Sequence, residues 1–233
     1  MSIHPKRSML TPTNVIPSMS ASVTSNTGTL NPIRNKSWAL INSDPRAFVD
    51  FESKALCLKE HVKERIIKVL VAFPVQFHTW IKVNCVLSGS SISSIYHGEE
   101  PKDFDLWYKK LDEPKRHIDA IITNYGDYIA TYKNEPGYDS LRHGNLGDEK
   151  VITHNAITFI EKLQLITLDD YKTCRQGFDF IHCMPYYDFN DDKFHISENQ
   201  MKSIAHKKLV KNPEGNGPAE WRIHKFKQRG WSF

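Results

Sequence analysis

Between Leu87 and Trp107 the chain reads Leu-Ser-Gly-Ser-Ser-Ile-Ser-Ser-Ile-Tyr-His-Gly-Glu-Glu-Pro-Lys-Asp-Phe-Asp-Leu-Trp. Asp103 and Asp105 stand two positions apart, so on a strand their side chains share one face. Two carboxylates so placed can jointly hold one or two divalent cations. Mg2+ or Mn2+ suits such hard oxygen ligands and keeps positions open for water and phosphate. Phe104 and Leu106 then point the other way, toward a core. Upstream, Gly89 permits close approach of backbone to a ligand. The N–H groups of Ser90 and Ser91, opening a short helix, favour an anion. One stretch thus carries both a phosphate seat and a cation seat. No Gly-Lys-Ser/Thr follows Gly89, which argues against a Walker-type phosphate loop.

Other chemistry-bearing residues lie further on. Arg222, Lys225 and Arg229 recur at spacings of three and four and share one helix face, with Trp221 and Trp231 nearby. That face suits a triphosphate or a nucleic-acid backbone. The plainer reading is a basic surface helix docked through Ile223 and Phe226. Lys202, Lys207 and Lys208 read as solvated. His182 is either a phosphate contact or a core histidine. Cys57, Cys85, Cys174 and Cys183 show no C-x-x-C spacing, which points to reduced thiols in a cytoplasmic compartment rather than a zinc or disulfide framework.

The elements that must position these residues follow from periodicity. Residues 1–36 are rich in Ser, Thr, Asn and Pro and form a low-complexity tail without a core of its own. If ordered, such a tail packs on a neighbouring subunit or a larger assembly. Residues 43–80 form a helical lead-in, opening at Ser43-Asp44-Pro45 and continuing through Phe48, Phe51, Ala55, Leu58, Val62 and Ile66. Residues 81–233 form the main domain. Val83–Leu87 and Phe104–Tyr108 read as strands, with a short helix over Ser90–Tyr96 between them. Glu113–Tyr128 is helical, and 133–150 is a loop. Ala156–Phe159 and Leu163–Leu168 pair across Glu161-Lys162, and Phe178–Cys183 is a further strand. Tyr186–Phe189 and Phe194–Ile196 form a second hairpin, followed by helices over Ser197–Leu209 and Ala219–Gln228. The class is α+β, or mixed α/β, with one sheet covered by helices.

Gly89-Ser90 followed by Asp103-Phe104-Asp105 resembles the core motif of the DNA polymerase β-like nucleotidyltransferase superfamily. The turn Gly98-Glu99-Glu100-Pro101-Lys102 is similar to that of tRNA nucleotidyltransferases. Asn155-Ala156-Ile157, Phe178–Cys183 and Arg222–Trp231 resemble small stand-alone proteins of this kind encoded by bacteriophages. The resemblance covers about residues 80–233 and implies a third carboxylate on a later strand. Asp179 is the candidate, while Leu163-Gln164-Leu165-Ile166 could instead occupy that strand and put Gln164 in the acid's place.

The resemblance implies in-line attack of an acceptor hydroxyl on the α-phosphorus of a nucleoside triphosphate, with pyrophosphate leaving. Asp103, Asp105 and Asp179 are then the catalytic and metal-holding acids. Gly89, Ser90, Ser91, Arg222, Lys225 and Arg229 bind the nucleotide. The acceptor is an RNA, a protein or a small molecule. Two other readings stand beside this one: the same fold without activity, serving as a structural or assembly protein of a phage particle, or a nucleic-acid-binding module. A phage-encoded protein of this kind belongs in the host cytoplasm or the virion.

Charge and length fit these readings. The 233 residues carry 31 Lys and Arg against 27 Asp and Glu, for a net charge of +4. The excess sits in two places: residues 1–36 contain Lys6, Arg7, Arg34 and Lys36 without an acid, and residues 202–229 are rich in Lys and Arg. The middle is acidic by balance, as a cation site flanked by phosphate-attracting surfaces requires. No long uninterrupted apolar run occurs, so no membrane span is expected.

Overall fold

The computed structural model describes residues 50–111, 114–131, 150–153 and 155–233. The 1–36 tail, the expected helix start at Ser43-Asp44-Pro45 and nearly all of the 133–150 loop lie outside them. The described chain is a mixed α+β structure. Helix α1 spans Phe51–Leu70 and α2 spans Val75–Asn84. Strand β1, Cys85–Ser88, leads into α3, Ser90–Tyr96, and then β2, Phe104–Tyr108. Helix α4 (Pro114–Tyr125) precedes β3 (Ala156–Thr158) and β4 (Leu163–Ile166). Helix α5 (Tyr171–Cys174), β5 (Tyr186–Asp188), β6 (Lys193–His195), α6 (Glu198–Ala205) and α7 (Glu220–Gln228) complete the order.

Helix α1 begins where Asp50 caps it: its Oδ1 accepts from the Ser53 N–H at 2.7 Å. Leu58, Val62, Ile66 and Leu70 recur every four residues and form its buried stripe. The break between α1 and α2 falls at Pro74, whose missing N–H and fixed φ suit the start of a new helix.

The sheet has six strands in the order β3-β4-β2-β1-β5-β6. Four pairings are antiparallel, and β2 with β4 is parallel. Residues paired across strands face the same side. One face carries Cys85, Leu87, Phe104, Leu106, Tyr108, Leu163 and Leu165, all buried. An aromatic cluster lies with this core: Phe77 stands 4.7 Å from Tyr125 and 5.2 Å from Phe159 by ring centroid, and Phe73 is 4.9 Å from Phe77. The other face carries Val86, Trp107, Ile166 and Ala156 in one apolar patch, covered by Tyr171 and Phe178. Two residues along from that patch, on the same face, come Ser88, Asp105 and Gln164.

Both expected hairpins form. Ala156–Thr158 pairs with Leu163–Ile166 around a tight turn in which Glu161 and Lys162 take positive φ. Tyr186–Asp188 pairs with Lys193–His195, and Asp192 takes the positive φ there. The expected strand over Phe178–Cys183 does not form. Phe180 makes a single bridge to Lys211, and Ile181–Cys183 coils into a 3-10 turn ahead of Pro185. The cause is packing. Phe180 and Cys183 are drawn into a separate cluster with Leu209, Phe226 and Trp231, away from the sheet.

Candidate phosphate and metal site

The site begins where β1 ends. Ser88 is fully buried, and its hydroxyl donates to the carbonyls of Pro185 (2.8 Å) and Cys183 (3.2 Å). Gly89 follows with φ +110° and ψ −167°, a backbone region open essentially to glycine alone. Its N–H donates to the Cys183 carbonyl at 3.2 Å. A Cβ at this position would stand 2.6 Å from Asp105 Oδ2. Glycine is therefore required twice over, by the turn and by the carboxylate lying against it. Ser90 and Ser91 open α3, and the Ser91 hydroxyl is buried with no hydrogen-bond partner.

Asp105 sits on β2, opposite Ser88. Asp103 is two residues earlier, just before the strand begins. Burial raises the Asp105 carboxyl well above the ordinary carboxylate value, and the neighbouring Asp103 charge raises it further. Lys225 and Arg222 oppose both effects. Asp105 is thus placed where neither water nor a fixed salt bridge fully stabilises its charge, and a bound cation would do so.

Helix α7 supplies the counter-charge. It docks through Phe226, 2% exposed, with Ile223 packed beside it. Arg222 forms an ion pair with Asp179, and Arg229 donates to Ser94 Oγ at 2.7 Å on α3. Burial lowers the Lys225 ammonium below its ordinary value, against an opposing pull from Asp103. All three cations of the sequence motif thus lie along the acid pair and the helix that follows Gly89.

One expectation needs correction, and the alternative stated beside it takes its place. Asp179 is not on a strand beside β2. It lies in a bend before Phe180, and Arg222 engages its carboxylate. The neighbours of β2 are β1 and β4, and the residue in register with Asp105 on β4 is Gln164. Leu163 and Leu165 are buried on the helical side, which by alternation turns Gln164 to the Asp105 side, where its Nε2 donates to Thr158 Oγ1 at 3.2 Å. Among the described residues no group of three or more His, Cys, Asp or Glu side chains is gathered as a metal site.

His182 is a core residue. It is fully buried and stacks on Trp231 with centroids 3.9 Å apart. Burial, then Arg222 and Arg229, push its pKa down to about 3, so the ring is neutral. Sequence reasoning overlooked Ser88, Ser94 and Tyr186. Tyr186 pairs with Ser88 on the other side, so the row at the site runs Gln164, Asp105, Ser88, Tyr186 across four strands. Only strand register reveals it.

No helix among the described residues is long and apolar enough to cross a membrane. No curated protein matches the chain. One family profile does: that described as "Gabija anti-defense 2 family protein", over residues 53–207. The match begins on α1, takes in Gly89, both aspartates and Gln164, and ends just after α6. A match of that extent, covering most of the chain, places this protein in the Gabija anti-defense 2 family.

Proposed function

We propose that the protein is a metal-dependent nucleotidyltransferase that moves a nucleoside monophosphate from a nucleoside triphosphate to an acceptor hydroxyl, and that this is how it serves the counter-defence role its family is named for. The observation that carries the reading is the pairing of Gly89 with Asp105. A glycine-only turn at the end of β1, with an unpartnered buried Ser91 hydroxyl behind it, lies directly against a carboxylate of raised pKa. The chemistry of this donor set fits Mg2+ or Mn2+, which would be held by Asp103 and Asp105 and would supply charge neutralisation for the phosphates.

The chain's own groups have distinct roles in this reading. Gly89, Ser90 and Ser91 give backbone and hydroxyl donors to the outer phosphates. Lys225 and Arg229 add positive charge beside them, and Arg222 does so while holding Asp179 in place. The acceptor oxygen bonds the α-phosphorus, the bond to pyrophosphate breaks with its electron pair leaving on pyrophosphate, and the hydroxyl proton passes to water. Asp179, paired with Arg222, positions that arginine instead of acting as a third metal acid.

A second reading, nucleotide binding without transfer, is favoured by Gln164 in the Asp105 row. One experiment separates the two. Isothermal calorimetry with ATP and Mg2+ measures binding, and pyrophosphate release or label transfer from an α-labelled triphosphate mixture measures chemistry. Asp103→Asn with Asp105→Asn should abolish both while the chain stays folded. Binding without pyrophosphate release across all four nucleotides and a panel of RNA, protein and small-molecule acceptors would establish the second reading. Transfer that survives in the folded double variant would refute the first.

A further inference from the structure

The row that contains Asp105 continues past the site. Beyond Ser88 it reaches Tyr186 on β5 and then His195 on β6, in register. Adjacent strands lie about 4.8 Å apart, so His195 stands about 14 Å from Asp105 along the sheet. Tyr186 and His195 stack nearly parallel, with centroids 4.3 Å apart and an interplanar angle of 10°. Tyr186 also leans on Tyr171 at 4.7 Å. His195 is exposed, so this stack presents an aromatic plane to solvent.

Arg175 joins this plane to the rest of the surface. It is exposed, and its charge acts on the phenols of both Tyr171 and Tyr186. It lines three adjoining hollows of about 650, 400 and 340 Å³. The middle one is floored by Tyr186 and His195. The largest runs on beneath α6 past Lys202, Lys208 and Lys211, and the third holds Lys172. Glu214 is the acid that lines the groove. Lys202 is shared with Glu198 at 2.8 Å, and Lys208 donates to the Phe233 carbonyl at 2.5 Å, which leaves Arg175, Lys172 and Lys211 as its principal charges.

An aromatic platform beside a line of cations is the combination that binds single-stranded nucleic acid: bases stack with little regard to sequence, and phosphates meet Lys and Arg. A protein acceptor would need neither the exposed stack nor the cationic line. We propose that this groove seats the acceptor as a single-stranded nucleic acid, with a base on the Tyr186–His195 stack and its backbone along Arg175 and Lys211. The strand's end then has about 14 Å to cover between His195 and Asp105, passing outside the buried Ser88. The proposal rests on the nucleotidyltransferase reading and names its acceptor class.

The test uses the full chain and fluorescein-labelled single-stranded RNA and DNA oligonucleotides in fluorescence anisotropy. The parent should bind with an affinity that falls as salt rises. His195→Ala, an exposed position, should weaken binding by about five- to 150-fold, the range for loss of one stacked base. Arg175→Ala with Lys211→Ala should reduce the slope of log affinity against log salt by about 1.4, the value for two phosphate contacts on a single strand. Binding of ATP with Mg2+ should be unchanged in both, and Asp105→Asn should show the reverse pattern. Absence of oligonucleotide binding, or binding that ignores both groove variants, overturns the groove while intact ATP binding leaves the nucleotide site standing. Label that passes to protein and never to the oligonucleotide also overturns it. Loss of ATP binding in the parent overturns the transfer reading and, with it, the acceptor role.

Discussion

Replacing Gly89 by alanine should injure both the fold and the site, and the two injuries can be separated. The backbone at φ +110° and ψ −167° is closed to residues with a Cβ, at a cost of about 1–3 kcal/mol. The new methyl would also stand 2.6 Å from Asp105 Oδ2, so the carboxylate or the turn must move. A total near 3 kcal/mol lowers the melting temperature by about 6–12 °C for a domain of this size. Gly98→Ala is the control. Its φ of +69° is also positive, but no atom lies within 4 Å of the place its methyl would take, so about 1 kcal/mol and a correspondingly small shift are expected. A double-mutant cycle with Asp105→Ala isolates the contact, because Gly89→Ala should cost less once the carboxylate is gone. Thermal melts by circular dichroism give the stabilities, and calorimetry with ATP and Mg2+ gives the site. If Gly89→Ala melts like Gly98→Ala and binds nucleotide like the parent, the close packing of turn and carboxylate has no consequence, and neither the turn nor the carboxylate requires glycine.

Three other outcomes are expected. Gln164→Glu places a third carboxylate in register with Asp105, so it should tighten Mg2+ or Mn2+ binding by about tenfold and lower the melting temperature in chelator; unchanged cation affinity would remove the pair from consideration as a metal centre. Because the Asp105 pKa is raised on folding, the native state holds a proton that the unfolded chain releases above about pH 4, so metal-free stability falls as pH rises through that window. Asp105→Asn should therefore gain on the parent in urea midpoint with rising pH, and a constant difference across the series would contradict the shift. Phe226→Ala empties the contact that docks α7 and should cost about 3–5 kcal/mol by urea denaturation, with nucleotide affinity falling as the basic helix loosens.

The supporting elements were legible where a local pattern is sufficient. The four-residue spacing of Leu58, Val62 and Ile66 indicates a helix, and Glu161-Lys162 a turn. Asp103 and Asp105 stand out in the sequence because two acids flanked by apolar residues form a pattern within five positions. The third acid was misplaced for a physical reason. Phe178-Asp179-Phe180 and Leu163-Gln164-Leu165 both alternate, and alternation alone does not say which segment lies beside β2. The choice is made by Phe180, which is buried with Phe226 and Trp231, and by Leu163 and Leu165, which are buried under the sheet. Lys225 and Arg229 were read from helical spacing, but their nearness to Asp103 and Ser94 depends on how α7 docks.

The row Gln164, Asp105, Ser88, Tyr186 is drawn from stretches of chain far apart in sequence, and its pairing of β2 with β4 is parallel, closed only after a long crossover. Contacts of that kind form late and slowly, because the loop must be closed before the contact stabilises anything. No fragment of the chain carries the row by itself. A ligand that bridges it therefore recognises the finished sheet alone and adds its binding free energy to the stability of the whole, about 2.7 kcal/mol at a hundred times its dissociation constant. Saturation with such a ligand should make the protein slower to unfold and harder for proteases to open, so that resistance to digestion reports occupancy without any measurement of chemistry.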